Sequence, residues 1–170
     1  MLKILNKLAP FFEDCSRSIS VREYAKLVHV SPPTASKFLK EFANAGYLQQ
    51  RPERGHLLFT LRAESEEIID LCRLYWKQRL NKLSLELQAK LTGASAVLFG
   101  SLAKAEATPD SDVDLAIFAT EQKQIDLTPF NKTLRREIAL QWFKSPRDVK
   151  NEHLLNNILN GIVLFGKVKW

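Results

Sequence analysis

Apolar positions recur at helical spacing through the first third of the chain and gather into short unbroken runs in the last. Leu2 to Phe12 alternates apolar and basic residues at helical spacing, and Val21 to Val28, with Ala25 and Leu27 inward, repeats the signal. Ser31-Pro32-Pro33 joins an N-cap side chain to proline in the first turn, a strong helix start. The third helix so predicted runs to about Ala45, and Gly46 closes it. Ala35, Phe38, Leu39 and Phe42 fall at i, i+3, i+4 and i+7 and form its buried stripe, leaving Pro33, Ser36, Lys37, Lys40 and Asn44 on the opposite face. Tyr47 to Arg51 and Leu57 to Arg62 then read as two short strands around the turn Pro52-Glu53-Arg54-Gly55.

Glu64 to Leu91 holds neither proline nor glycine and is rich in Leu, Glu, Lys and Arg. As one helix it would span about 40 Å at ~1.5 Å per residue. Ile68, Leu71, Cys72, Tyr75, Leu80, Leu83 and Leu87 give it an apolar side, and Glu64, Glu66, Glu67 and Asp70 suit its positive N-terminal end. Such a helix can pair with its copy in a homodimer or pack on its own chain; the pattern does not separate the two.

After Thr92-Gly93 the signal becomes strand-like. Ala96 to Phe99, Val113 to Ala119 and Ile138 to Phe143 are apolar runs of strand length, with a helix expected over Leu127 to Arg136, capped by Asp126 or Thr128. Lys150 to Leu159 reads as a closing helix and Ile162 to Phe165 as a last strand. No internal repeat or low-complexity tract interrupts this order.

Charge refines the division. The net charge is +6, and residues 1 to 62 carry ten Lys/Arg against five Asp/Glu while the remainder is nearly balanced at fifteen against fourteen. A basic first third is compatible with a polyanion partner. Cys15 and Cys72 lie far apart without a CxxC or Cys/His cluster, which suits a reduced, cytoplasmic setting and argues against a disulfide framework or a zinc site. The N-terminus lacks the pattern of a signal peptide, and no apolar run approaches the length of a membrane span.

The chemistry concentrates in LFGSLAKAEATPDSDVDLAIF, residues 98 to 118. An apolar run ends in Gly100-Ser101, and Asp112 and Asp114 head the next one. Alternation on a strand points both acids the same way, about 7 Å apart. At an effective dielectric near 20 they repel by roughly 2.4 kcal/mol, so a cation between them would stabilise the arrangement. Hard divalent cations, Mg²⁺ above all, take carboxylate oxygens and fill their remaining positions with phosphate and water. A Gly-Ser turn upstream, where backbone approaches a ligand closely, supplies N–H groups and a hydroxyl for that phosphate. Carboxylates, metal and phosphate together point to phosphoryl or nucleotidyl transfer.

The full string, Gly100-Ser101, Ala103, Glu106-Ala107, then Asp110-Ser111-Asp112-Val113-Asp114-Leu115, resembles the signature of the minimal members of the DNA polymerase beta-like nucleotidyltransferase superfamily, over residues 94 to 168. The resemblance implies that Gly100 and Ser101 hold the triphosphate of an incoming nucleotide, that Lys104 neutralises a phosphate or is a surface lysine, and that Asp112 and Asp114 bind Mg²⁺ (or Mn²⁺) as catalytic metal ligands. A third carboxylate on the next strand would complete the metal site and activate the attacking hydroxyl. Here the chain departs from the family: the third strand, EIALQWF, has no acid in its middle. Ala139 or Gln141 lies where that acid is expected, Glu137 is the nearest, and Asp126 is misplaced for the role. Leu102, Lys104 and Ala105 also stand where arginine or glycine is frequent.

Residues 1 to 62, three helices and a basic-tipped hairpin, resemble the winged helix-turn-helix of transcription regulators. That resemblance implies a DNA-binding module with Ser36, Lys37 and Lys40 at the DNA and Arg51 and Arg54 on phosphates. The expected chain is therefore an α/β (α+β) protein: a winged helix over 1–62, a linker helix over 63–92, and a minimal nucleotidyltransferase domain over 93–170 with a small mixed sheet flanked by helices. This build is similar to a group of archaeal proteins whose small relatives pair with helical toxins or act as antitoxins that nucleotidylate another protein. The leading expectation is transfer of NMP from an NTP to a hydroxyl on a protein or RNA acceptor. The rivals are a DNA-binding regulator that senses NTP·Mg²⁺ without catalysis, and an antitoxin-like binding module.

Overall fold

The computed structural model describes residues 3–53 and 55–169, and the chain divides into two compact units. The first comprises Met1–Tyr75 together with Ala105–Pro109; the second comprises Trp76–Lys104 and Asp110–Trp170.

In the first unit, α1 (Lys3–Glu13) places Leu5, Leu8, Phe11 and Phe12 on one fully buried face. A two-residue strand, β1 (Ile19–Ser20), leads into α2 (Val21–Leu27), whose N-cap Ser20 accepts from the Glu23 amide. Ser31 caps α3 (Pro32–Asn44) by accepting from Thr34 N. Ala35, Leu39 and Phe42 of the expected stripe are buried, while Phe38 is half-buried beneath the Lys7 ammonium, 3.4 Å from the ring centroid. Gly46 takes a positive φ of 82°, as a helix-terminating glycine does.

Strands β2 (Leu48–Glu53) and β3 (His56–Leu61) form an antiparallel hairpin, Leu48 opposite Leu61 through Glu53 opposite His56. The hairpin is longer than the pattern suggested. Pro52 and Glu53 belong to β2 rather than to the turn, a placement open to proline on an edge strand. The sheet order is β1-β3-β2. β1 escapes a periodicity argument because two residues cannot show a period, yet Ile19 is fully buried and pairs with Phe59.

The stretch expected as one long helix is two: α4 (Glu66–Arg79) and α5 (Asn81–Lys90), parted at Leu80 with φ −89° and ψ 2°. Leu80 N donates to Trp76 O and Ser84 N donates to Leu80 O, one bond on either side of the joint. The division between the units falls inside α4.

The second unit is built on a four-stranded mixed sheet. Its strands are β4 (Ser95–Phe99), β5 (Val113–Phe118), β6 (Ile138–Phe143) and β7 (Ile162–Phe165), in the order β6-β5-β4-β7. β4 is antiparallel to both β5 and β7; β5 and β6 are parallel, joined by a crossover through α6 (Thr128–Leu134). The N-cap of α6 is Leu127, without a side-chain cap, and Asp126 just before it accepts from Thr128 N at 3.0 Å; Asn151 caps α7 (Glu152–Leu159). Every residue of β4 is buried, and Val97, Phe99, Ala116, Phe118, Val149 and Ile158 form one core cluster of this unit. No helix of the described residues is long and apolar enough to cross a membrane.

Candidate functional site

Register brings the two halves of the signature together. Phe99, the last residue of β4, pairs with Asp114 on β5, so the chain leaves β4 beside that carboxylate. Gly100 follows with φ 74° and ψ −157°, a conformation that L side chains rarely adopt, and Ser101–Ala103 then makes one turn of 3₁₀ helix. Ser101 is partly exposed, whereas Leu102 and Ala103 are buried and anchor the turn. Ala105 holds a positive φ of 58°, so the backbone keeps a glycine-like conformation where the family often has glycine.

Asp112 lies exposed in the loop before β5, and Asp114 is the strand's second residue, half-buried. Among the described residues neither carboxylate accepts a hydrogen bond or pairs with a cationic side chain. Burial raises the Asp114 pKa above the ordinary carboxylate range, and the neighbouring charge of Asp112 raises it further. Two acids that repel without a protein cation suit a divalent metal. No group of three or more His, Cys, Asp and Glu that could hold a metal gathers among the described residues.

The third-carboxylate position is resolved by strand register. β5 and β6 pair in parallel with Asp114 opposite Ala139 and Ala116 opposite Gln141. Opposed residues of neighbouring strands share a face, so Ala139 occupies the place beside Asp114 on that face. Gln141 is displaced one further step along that face. Glu137 is exposed, just before β6, and its carbonyl accepts from Val113 N at 2.8 Å.

Lys104 turns to α7, its ammonium donating to Asn157 Oδ1 at 2.7 Å. In the first unit, Ser36 is partly exposed and Lys37 and Lys40 are exposed on α3; Lys37 stands 4.0 Å from Glu41. Arg51 on β2 pairs with Glu53 at 3.2 Å. Arg54 lies outside the described residues. Arg136 was not singled out from the sequence, and nothing in the Arg135-Arg136 doublet distinguishes the two. The first ends α6 exposed, in the left-handed region (φ 56°), and the second is buried with its guanidinium on the Ser111 carbonyl.

The Gly100–Ser101 turn thus stands beside Asp114, with Asp112 two residues before it, on a small mixed sheet. The pattern of the nucleotidyltransferase domain family matches residues 80–165, half of the chain, and the protein belongs to that family. No curated protein and no solved structure matches the chain. Domains of this family generally use a nucleoside triphosphate and a divalent metal.

Proposed function

We propose that the protein binds NTP with Mg²⁺ or Mn²⁺ at Asp112 and Asp114, its phosphates held by the Gly100–Ser101 turn. The observation that carries this reading is the pair of acids without a protein cation, one half-buried against the backbone of Gly100. A bound divalent metal would supply charge for the phosphates and polarise the α-phosphorus. The chain's own part is to hold two carboxylates, present N–H groups and the Ser101 hydroxyl, and keep the turn free of a Cβ.

Two uses of that complex follow. In transfer, an acceptor hydroxyl on a protein or RNA attacks the α-phosphorus, the bond to pyrophosphate breaks, and the hydroxyl proton passes to a base. Family membership and the retained Gly-Ser and paired acids support this use. In sensing, the nucleotide complex is itself the signal, and residues 1–62 act as a winged helix-turn-helix that contacts duplex DNA through Ser36, Lys37, Lys40, Arg51 and Arg54. The three helices and the β1-β3-β2 sheet support that assignment. Ala139 opposite Asp114 favours the second use, because the strand offers no carboxylate to accept the proton. An amide at Gln141 cannot act as that base.

The deciding experiment incubates the full chain with labelled ATP, GTP, CTP and UTP, Mg²⁺ and a lysate of its source organism. The sensing reading expects metal-dependent binding of at least one nucleotide without label on any protein or RNA. Label transferred to an acceptor and lost with Asp114→Asn would establish the transferase reading instead.

A further inference from the structure

We infer that Arg136 is a positioning residue for the acid pair, fixing the backbone that presents Asp112. The inference rests on the reading of Asp112 and Asp114 as metal ligands. Arg136 is 7% exposed and is the one charged side chain among the buried residues described. Its Nη1 donates to the carbonyl of Ser111 at 2.6 Å, and its guanidinium carbon lies 5.1 Å from the ring centroid of Trp76, itself fully buried. The next residue works from the other side, since the Glu137 carbonyl accepts from Val113 N at 2.8 Å. Consecutive residues 136 and 137 therefore clasp the chain immediately before and immediately after Asp112.

That clasp matters because the Asp112 side chain has no anchoring contact of its own among the described residues. It stands in a loop outside β5, exposed, and its carboxylate meets no hydrogen-bond donor or cation among the described residues. Its location is set by its own backbone, and the backbone is set by residues 136 and 137. The end of α6 orients the clasp: Arg135 turns left-handed, and Arg136 N donates to Asn131 O at 3.3 Å. Arginine suits the place better than lysine. Its planar group stacks on an indole while an edge N–H still reaches a carbonyl.

The test measures Mn²⁺ affinity of the full chain at saturating ATP by calorimetry, well below the melting temperature of each variant. Wild-type binding comes first; its absence would overturn the nucleotide reading itself and this inference with it. Given wild-type binding, Arg136→Gln is expected to weaken Mn²⁺ about tenfold and Arg136→Lys about threefold. Val149→Ala, a core change elsewhere in the same unit that lowers stability, is expected to leave affinity within twofold. Equal affinity in wild type and Arg136→Gln overturns the inference. So does a loss in Val149→Ala as large as that in Arg136→Gln, which would mark a general loosening. Should Arg136→Gln not fold, Arg136→Lys against Val149→Ala carries the same comparison, and unchanged affinity in the lysine variant counts against the clasp.

Discussion

A methyl group placed on Gly100 would stand 2.5 Å from Oδ2 of Asp114 and 3.3 Å from its Cγ. The Gly100–Ser101 turn and the Asp114 carboxylate are thus in van der Waals contact, and the glycine is required twice, by its positive φ and by that approach. Gly100→Ala is expected to push the Asp114 carboxylate out of place and weaken Mg²⁺·NTP binding about tenfold, ~1.4 kcal/mol. Calorimetric titration of both proteins with Mn²⁺·ATP measures it. Unchanged affinity would mean that the turn and the acid do not serve one ligand.

On the proposed reading of Asp114 as a metal ligand, its raised pKa would make metal binding pH-dependent. Between the ordinary carboxylate range and its own raised value, the native protein keeps a proton that the unfolded chain has released. Stability without metal therefore falls as pH rises through that window. A divalent cation favours the ionised form and reverses the trend, so Mn²⁺ affinity should drop as pH is lowered into the same window. Asp112→Asn removes the smaller of the two causes. It should bring the Asp114 pKa down while leaving it above an ordinary carboxylate, because burial is the larger cause. A carbon-13 NMR titration of the Asp114 carboxyl reads both; a return to the ordinary value on Asp112→Asn would contradict the ranking.

Removing the metal's ligands is the blunter test. Asp112→Asn with Asp114→Asn should abolish nucleotide binding that depends on Mg²⁺, whereas Ser101→Ala should cost only about 0.5–1.5 kcal/mol, the worth of one neutral hydrogen bond. Equal affinity in the double variant would remove the acids from the site altogether.

Ala139→Asp is expected to install the missing acid. Beside Asp114 on the same face, it should add pyrophosphate release from NTP in the presence of an acceptor, activity absent from the wild type in the sensing reading. It should also lower stability without metal, through a third like charge, and recover stability on adding Mn²⁺·ATP. Gln141→Asp lies about 7 Å further along the strand face and is expected to do neither. Restoration by Gln141→Asp alone would mean that the functional register differs from the one observed.

If residues 1–62 bind duplex DNA, the affinity of the full chain must fall with salt. Four phosphate contacts, drawn from Lys37, Lys40, Arg51 and Arg54, would give a slope of log K against log salt of roughly −3.6. Arg54→Ala should reduce that slope by about one unit and weaken all sequences alike, whereas Ser36→Ala should change sequence preference if Ser36 reaches a base edge. Gel shifts at ~50 and ~200 mM salt that detect no duplex binding would leave the helices and hairpin as a protein-contact module.

How far the sequence reaches can be judged from particular residues. Caps and periodicity located α3 closely, because Ser31, Pro32 and Gly46 each act within a turn of their own position. The same reasoning failed at Leu80. Apolar positions 68, 72, 76, 80, 83 and 87 keep helical spacing straight through the joint, so nothing local marks the break. In the candidate site, Gly100, Asp112 and Asp114 could be singled out because their residue types stand close together in the chain. The identity of the residue facing Asp114 was not. Ala139 and Gln141 differ by one step of register, and register is a property of two strands paired across more than twenty residues of chain. Arg136 was illegible for a similar reason: its function lies in what it reaches, the carbonyl of Ser111, rather than in what it is.

The segment Ala105–Pro109, between the two halves of the nucleotide signature, packs in the first unit, with Cys15 N donating to Ala107 O at 2.7 Å and Ala105 and Ala107 buried. Neither unit is therefore a continuous piece of polypeptide. A fragment started at residue 80, where the family match begins, would carry five residues bereft of the surroundings that shape them. Exchange of the N-terminal half between genes would meet the same obstacle: an incoming partner must bring a seat for that loop, or the Gly100–Ser101 turn and the acids are joined by an unsupported tether. What looks along the sequence like two modules in tandem would then be inherited as one.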